Sequence, residues 1–307
     1  MLKIMKENLE DLTSPNLWRA VAAEMVGTIF LVFLGCGAHT LQNGQPAAVG
    51  NGSVVTTTEP SVVQISLTFG LVVGTMVWCI AHISGGHINP AVTVAALITR
   101  RVSVVRAFFY IVAQIVGAII GAAILIGLTP ESQQKTIGVN SLRGGVTDAQ
   151  GFGVELMITF VVVLTVLASL DEKRTDLHGS APLTIGLAVA LGHLFAVSYT
   201  GCSLNPARSF GPAVVKNSWD NHWVFWIGPL VGGSVAAILY EYFFSAGATF
   251  TRTRKCLTRS KAPPSSPEKP LVTAPEDAEI IEIEDKKEEA EQEQEENEKA
   301  NNQTDGQ

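Results

Sequence analysis

Asn followed by Pro and Ala occurs at two places in this sequence, Asn89-Pro90-Ala91 and Asn205-Pro206-Ala207, each among long apolar stretches. An Asn side chain can cap the free N–H groups of a helix, and Pro fits the first helical turn without losing a hydrogen bond, so each triplet reads as a helix start. The positive end of such a helix carries roughly half a charge. Two of them facing one point inside a bilayer would accept a neutral polar solute and repel cations. Each Asn oxygen is then occupied in capping its own helix, which leaves the amide NH2 to donate toward the solute. A water held by both asparagines keeps its oxygen at the midplane and points its hydrogens away along the file in both directions, so it cannot carry a proton wire.

Other polar residues fall near these triplets. Arg208 lies three residues past Asn205 on the same helical face, where the first copy has Val92, and an ionisable residue within a membrane segment is usually functional. Phe69, His193 and Cys202 would reach one level of the same path, although each alone is more often a packing residue in a helical bundle. Glu24 and Glu155 occupy matched places early in two apolar segments. They read either as a proton relay or, favoured by the matching, as buried braces that accept backbone hydrogen bonds from the two pore loops. His87 and His178 fall on the side assigned below to the cytoplasm, where an imidazole titrates near neutrality and could sense pH; a structural or solvated His is the plainer reading. Asn51-Gly52-Ser53 is a glycosylation sequon on an outer loop, whereas Asn302-Gln303-Thr304 is on the wrong side.

The elements that must position these residues follow from composition. The chain is 47% hydrophobic and 16% charged, with the charge concentrated toward its end. Apolar stretches at 20–38, 62–83, 105–127, 152–170, 182–199 and 224–245 each approach the ~20 residues needed to cross hydrocarbon, which predicts six spanning helices. Two further apolar pieces, 89–98 and 205–215, are too short to cross and are expected to be re-entrant half-helices. The expected fold is an all-α membrane protein of six spans and two half-helices. Lys3, Lys6, Arg19, Arg100, Arg101, Arg106, Lys173, Arg174 and the basic cluster from Arg252 to Lys261 fall on one side, against Lys135, Arg143, Arg208 and Lys216 on the other. That asymmetry places both termini in the cytoplasm. No cleavable signal precedes the first span, which is expected to act as the insertion signal itself.

The two halves match each other. Gly70 and Gly186 stand at the same distance before Asn89 and Asn205, and the third span of each half carries a Gly-xxx-Gly pair, Gly117/Gly121 and Gly228/Gly232. Small residues at that spacing let helix backbones approach. An odd number of spans per half inserts the second copy upside down, giving inverted repeats at about 18–127 and 152–245 within a channel domain of 18–250. Residues 1–17 form a cytoplasmic N-terminal segment, and 251–307, a basic patch followed by Pro-rich and acidic sequence, reads as a disordered cytoplasmic tail. Cys256 in the basic patch could be palmitoylated, with a simple stop-transfer flank favoured. Cys36, Cys79, Cys202 and Cys256 show no metal-type spacing, so no metal, cofactor or disulfide framework is expected. No nucleophile–base pair or phosphate loop suggests an enzyme, and no nucleic-acid partner is expected.

Both Asn-Pro-Ala segments, together with His82-Ile83-Ser84-Gly85-Gly86-His87 and Tyr199-Thr200-Gly201-Cys202, resemble the aquaporin (major intrinsic protein) family across residues 18–245. The resemblance implies that Phe69, His193, Cys202 and Arg208 form the family's aromatic/arginine selectivity filter, of the type found in the water-selective branch. Glycerol-conducting relatives usually have a small residue in place of the His and an Asp after the Arg, where this chain has Ser209. Trp78 departs from the family's more usual small or polar residue, and the tail has no counterpart there. The expected function is passive, single-file conduction of water with exclusion of protons and ions, in a plasma-membrane homotetramer whose partners are water and lipid. The nearest rivals are a channel for glycerol, urea, ammonia or peroxide and a structural junction protein with a vestigial pore. A secondary transporter is third, because no unpaired pore carboxylate offers a coupling-ion site.

Overall fold

Inside hydrocarbon every backbone N–H and C=O must be satisfied within the protein, and apolar segments long enough to span therefore fold as helices. The computed structural model describes residues 11–40, 42–49, 52–58, 60–134, 137–246 and 248. Its six long apolar helices are α1 Pro15–Gly37, α2 Val62–Ser84, α4 Val104–Leu128, α5 Asp148–Ser169, α6 Ala181–Thr200 and α8, which runs from Val224 through a π-helical turn to Phe244. Two short helices, α3 Pro90–Ile98 and α7 Pro206–Lys216, are the half-helices. The expectations attached to Asn51, Cys256, Lys135 and the 251–307 tail lie outside the described residues, as does most of the N-terminal segment.

Local capping chemistry explains the boundaries. Ser14, Ser61, Ser103 and Ser180 each accept a hydrogen bond from an N–H in the first turn of the helix that follows, and Thr147 with Gln150 forms a capping box at the start of α5. Consequently α1 and α5 begin a turn or more before the apolar stretches at 20–38 and 152–170, because their polar first turns are set by caps rather than by hydrophobicity.

The six spans and two half-helices are as expected for an all-α membrane protein, and a short hairpin lies in the connection between α1 and α2. This hairpin is antiparallel, β1 Gln42–Val49 paired with β2 Gly52–Thr58. Val54, Val55 and Thr56 to Thr58 are β-branched and favour extended backbone. The register slips between Asn43 and Pro46, where Pro has no N–H to offer the ladder.

Packing follows the repeat. Helix α1 lies on α4, α5 lies on α8, and α2 lies on α6. Gly117 and Gly121 of α4 meet the Met25 and Ile29 carbonyls of α1, and Gly232 of α8 meets the Leu156 carbonyl of α5, so closely that no side chain would fit. Between α2 and α6 the contact is reciprocal: a methyl on Gly70 would stand 2.7 Å from the Gly186 carbonyl, and one on Gly186 would stand 2.5 Å from the Gly70 carbonyl. These small residues exchange side-chain volume for backbone contact, the main packing device available where surrounding lipid is as apolar as the helices. At the far end of the bundle Asp171 accepts hydrogen bonds from Tyr240 Oη at 2.9 Å and the Ala246 N–H at 2.8 Å, tying the end of α8 to the chain beyond α5. Burial opposes its charge, but these bonds and one from the Lys173 N–H outweigh it and hold the carboxyl below the ordinary range.

Candidate pore

Each half-helix is reached by a loop that is not itself helical, and a buried carboxylate organises each loop. Glu24 of α1 accepts from Ser84 Oγ at 2.6 Å and the His87 N–H at 2.9 Å on one oxygen, and from the Ile88 N–H at 2.6 Å and Gln114 Nε2 at 2.9 Å on the other. Glu155 of α5 accepts from Thr200 Oγ1 at 2.6 Å, the Ser203 N–H at 2.9 Å and the Leu204 N–H at 3.0 Å. The residue just before each Asn is held in the left-handed region, Ile88 at φ 44° and Leu204 at φ 57°, a conformation that costs a non-glycine residue about 1 kcal/mol or more. Its consequence is directional. The N–H of Ile88 or Leu204 turns toward the carboxylate of its own repeat, and the carbonyl turns toward the other loop.

That carbonyl is where the two halves meet. Asn89 Nδ2 donates to the Leu204 carbonyl at 2.9 Å, and Asn205 Nδ2 donates to the Ile88 carbonyl at 2.8 Å. The Asn oxygens cap their own helices, Asn89 through the Ala91 N–H and Asn205 through the N–H groups of Ala207 and Arg208, with Pro90 and Pro206 in the first turns. The expectation that each NH2 is wholly free toward the pore is therefore corrected: one of its two hydrogens locks the opposite loop, because a buried carbonyl turned inward needs a donor, and one hydrogen is left over.

One turn into α7, Arg208 is buried. Its Nη1 donates to the Gly138 carbonyl and, at 2.8 Å, to Asn140 Oδ1, while Nε and Nη2 have no hydrogen-bond partner. The guanidinium carbon stands 4.8 Å from the centre of the Phe69 ring, and Phe69 stacks on His193 with centroids 4.2 Å apart. His193 Nδ1 faces the Val189 carbonyl at 2.9 Å, which leaves a buried Nε2 without a partner. Cys202, at φ 56°, comes from the turn between α6 and α7, its N–H bonded to Thr200 Oγ1. The structure thus brings Phe69, His193 and Arg208 into direct contact. Phe69, His193, Cys202 and Arg208 are all buried, as are Asn89 and Asn205.

Several participants had no signal in the sequence. Gly138 and Asn140, in the segment between α4 and α5, orient Arg208, and Asn140 Oδ1 also accepts from Ser209 Oγ at 2.8 Å while its Nδ2 donates to the Thr200 carbonyl. Gln114 and Thr93 complete the network around Glu24. His87 is engaged there as well, its Nδ1 3.1 Å from Thr93 Oγ1 and its ring edge-on to Tyr110, whereas His178 is exposed between α5 and α6. Trp78 is 61% exposed on the outward face of α2, away from the quartet. Cys36, Cys79 and Cys202 are free thiols.

Comparison with known proteins agrees with this architecture. The family described as MIP, major intrinsic protein, matches residues 11–240. Aquaporin-4 of Mus musculus is 49% identical over 238 residues, covering 78% of this chain and 71% of the relative. Aquaporin-4 of Homo sapiens is likewise 49% identical, with the same coverage. Aquaporin-1 of Homo sapiens is 47% identical over 228 residues, 74% of this chain and 82% of the relative. The X-ray structure of the aquaglyceroporin from Plasmodium falciparum superposes with a TM-score of 0.62 over 74% of this chain and 96% of that one, at 23% identity, which speaks for the fold alone. With two capped half-helices joined tip to tip inside six spans, and relatives this similar over most of its length, the chain belongs to the major intrinsic protein family, the aquaporins.

Proposed function

We propose that the chain is a passive, water-selective channel in which Phe69, His193, Cys202 and Arg208 form the filter and Asn89 and Asn205 hold the water file at the midplane. One observation carries this reading. Among the described residues, three of the buried polar atoms left without a partner are His193 Nε2 and Arg208 Nε and Nη2, all in side chains packed against the Phe69 ring. Unpaired buried polar groups cost about 1–3 kcal/mol each unless something else bonds them, and a file of water supplies that bond. A small neutral molecule that can both donate and accept, as water does, fits two Arg208 donors beside the His193 Nε2 acceptor, whereas stripping an ion of its hydration costs an idealised ~20 kcal/mol that a few such groups cannot offset. Stopped-flow swelling of proteoliposomes in water and glycerol gradients tests it: fast water flux with glycerol flux near the empty-liposome level is expected, and comparable fluxes would overturn the filter assignment. Ser209, which stands where glycerol-conducting relatives carry Asp, spends its hydroxyl on Asn140 and Ser203, which supports the same side of the choice.

Glu24 and Glu155 act here as braces of the two loops, a role supported by the number of N–H and O–H groups that each carboxylate accepts. Conduction involves no covalent step, so no enzymatic activity is assigned. Both termini face the cytoplasm, as the distribution of Lys and Arg favours, and the plasma membrane is the proposed site. Assembly as a homotetramer is supported by family membership and by the apolar groove of about 270 Å³ between α2 and α6, lined by Leu67, Leu71, Trp78, Leu183 and Leu187 on the bundle's outer face. The thiol of Cys202 makes a further expectation. A mercurial added from outside is expected to block water flux, and Cys202→Ser to remove most of the block; persistent inhibition in that variant would show that the reactive thiol is elsewhere.

A further inference from the structure

Phe69 has no hydrogen-bonding group in its side chain, so its position depends on what surrounds its ring. Two walls of that surround belong to the filter, the stacked His193 and the Arg208 guanidinium. The other two come from the end of α1. Gly35 lies directly under the ring, where an added methyl would stand 2.5 Å from Cε1 and 2.8 Å from Cδ1. His39, one turn further along the same face, meets the ring nearly edge-on with centroids 5.8 Å apart and planes at 75°. Such edge-to-face pairs contribute beyond the area they bury.

His39 is 95% withdrawn from solvent. Its Nδ1 is buried and makes no hydrogen bond of proper geometry, although the Gly35 carbonyl one turn back is the backbone group it faces. Burial, reinforced by the neighbouring charges of Arg208 and Arg143, holds this imidazole well below its ordinary pKa, so it packs as a neutral ring near pH 7. A buried, neutral imidazole against a filter aromatic is an odd choice for mere filling, since any small apolar residue would avoid burying its nitrogens. What the imidazole adds is a flat, rigid wall of ring size.

We infer that His39 is a specificity-determining positioning residue, which with Gly35 seats the Phe69 ring against His193 and so sets the width of the constriction. This rests on the proposed water-selective reading and deepens it. With His39 shortened, Phe69 can tilt toward the vacated space and away from the path, and a wider opening favours solutes one or two carbons larger than water more than it favours water itself. His39 touches the solute only through Phe69.

The test is the ratio of glycerol to water permeability in proteoliposomes carrying equal, quantified amounts of full-length wild-type, His39→Ala and His39→Phe protein. A role confined to folding would lower both fluxes together and leave the ratio unchanged. In His39→Ala the ratio is expected to rise by about tenfold, the low end of what one carbon's worth of fit decides in a pocket. His39→Phe, which restores a flat wall without the nitrogens, is expected to bring the ratio back toward wild type. An unchanged ratio in His39→Ala with water flux retained, or a raised ratio in His39→Phe equal to that of His39→Ala, would overturn the inference. Should His39→Ala fail to fold, His39→Leu is measured in its place against the same ratio. High glycerol flux in the wild type would instead overturn the water-selective reading, so the two failures are told apart by which protein shows the leak.

Discussion

Arg208→Val is expected to open the channel to protons and small cations while leaving water flux of the same order as wild type. The reason is electrostatic. Arg208 is buried, and of its nitrogens only Nη1 has a hydrogen-bond acceptor, so Gly138 and Asn140 hold the charge in place and, in the proposed filter, it stands uncompensated toward the path. A unit charge about 4 Å from a permeating cation, at an effective dielectric of ~20, opposes it by roughly 4 kcal/mol. Removing that barrier corresponds to about a thousandfold in entry rate. Proton flux into liposomes loaded with a pH-sensitive dye, normalised to water flux in the same preparation, measures it. Arg208→Lys, which keeps the charge and loses the two-point attachment, should fall between the two. A proton leak in Arg208→Val indistinguishable from wild type would remove the barrier role from Arg208 and leave exclusion to the half-helix dipoles at the midplane.

The second large effect is on stability. Glu24→Gln keeps the shape of the side chain but replaces an oxygen that accepts hydrogen bonds with an NH2 that can only donate. Ser84 Oγ, the His87 and Ile88 N–H groups and Gln114 Nε2 all point at this carboxylate, so two donors lose their acceptor at a fully buried position. At about 1–3 kcal/mol for each orphaned donor the loss is roughly 2–6 kcal/mol, or about 5–20 °C in Tm for a protein of this size. The left-handed Ile88 has nothing else to hold its N–H in place, so the first loop is expected to release α3 and water flux to fall with it. Glu155→Gln, which disturbs three donors rather than four, is expected to fall at the lower end of that range. Thermal unfolding of the solubilised protein decides between brace and proton relay. A Tm equal to wild type in Glu24→Gln would argue for the relay.

The parts of the pore that were legible in advance share a property: their interactions reach no further than one helical turn. Asn89 with Pro90, and Asn205 with Pro206, are helix starts by chemistry that lies within three residues. Six apolar lengths specify six spans, and the paired small residues of α4 and α8 mark the faces that touch α1 and α5. Matching of the two halves was visible because the inverted repeat writes the same local sequence twice. Even there the boundaries of α1 and α5 moved, since hydrophobicity marks the hydrocarbon and caps mark the helix.

What could not be read lies in contacts between distant segments. Nothing in the spacing of Ile137 to Arg143 announces that this stretch folds back so that Gly138 and Asn140 grip an arginine about seventy residues later. Nor does the Asn-Pro-Ala triplet tell that half of its amide is spent on the facing loop, which emerges only when two left-handed carbonyls meet two asparagines at one point. Gln114 and Thr93, buried beside Glu24, looked like ordinary polar residues in an apolar helix. The sequence by itself determined that this is a membrane channel protein with two half-helices and a short list of polar residues along its path, because burial in lipid and helix capping are local demands. Tertiary structure alone decided that Phe69, His193 and Arg208 meet and that Gly138 and Asn140 hold the arginine, for these side chains and their supports arrive from separate segments, where the deciding energies are packing and hydrogen bonds across the bundle.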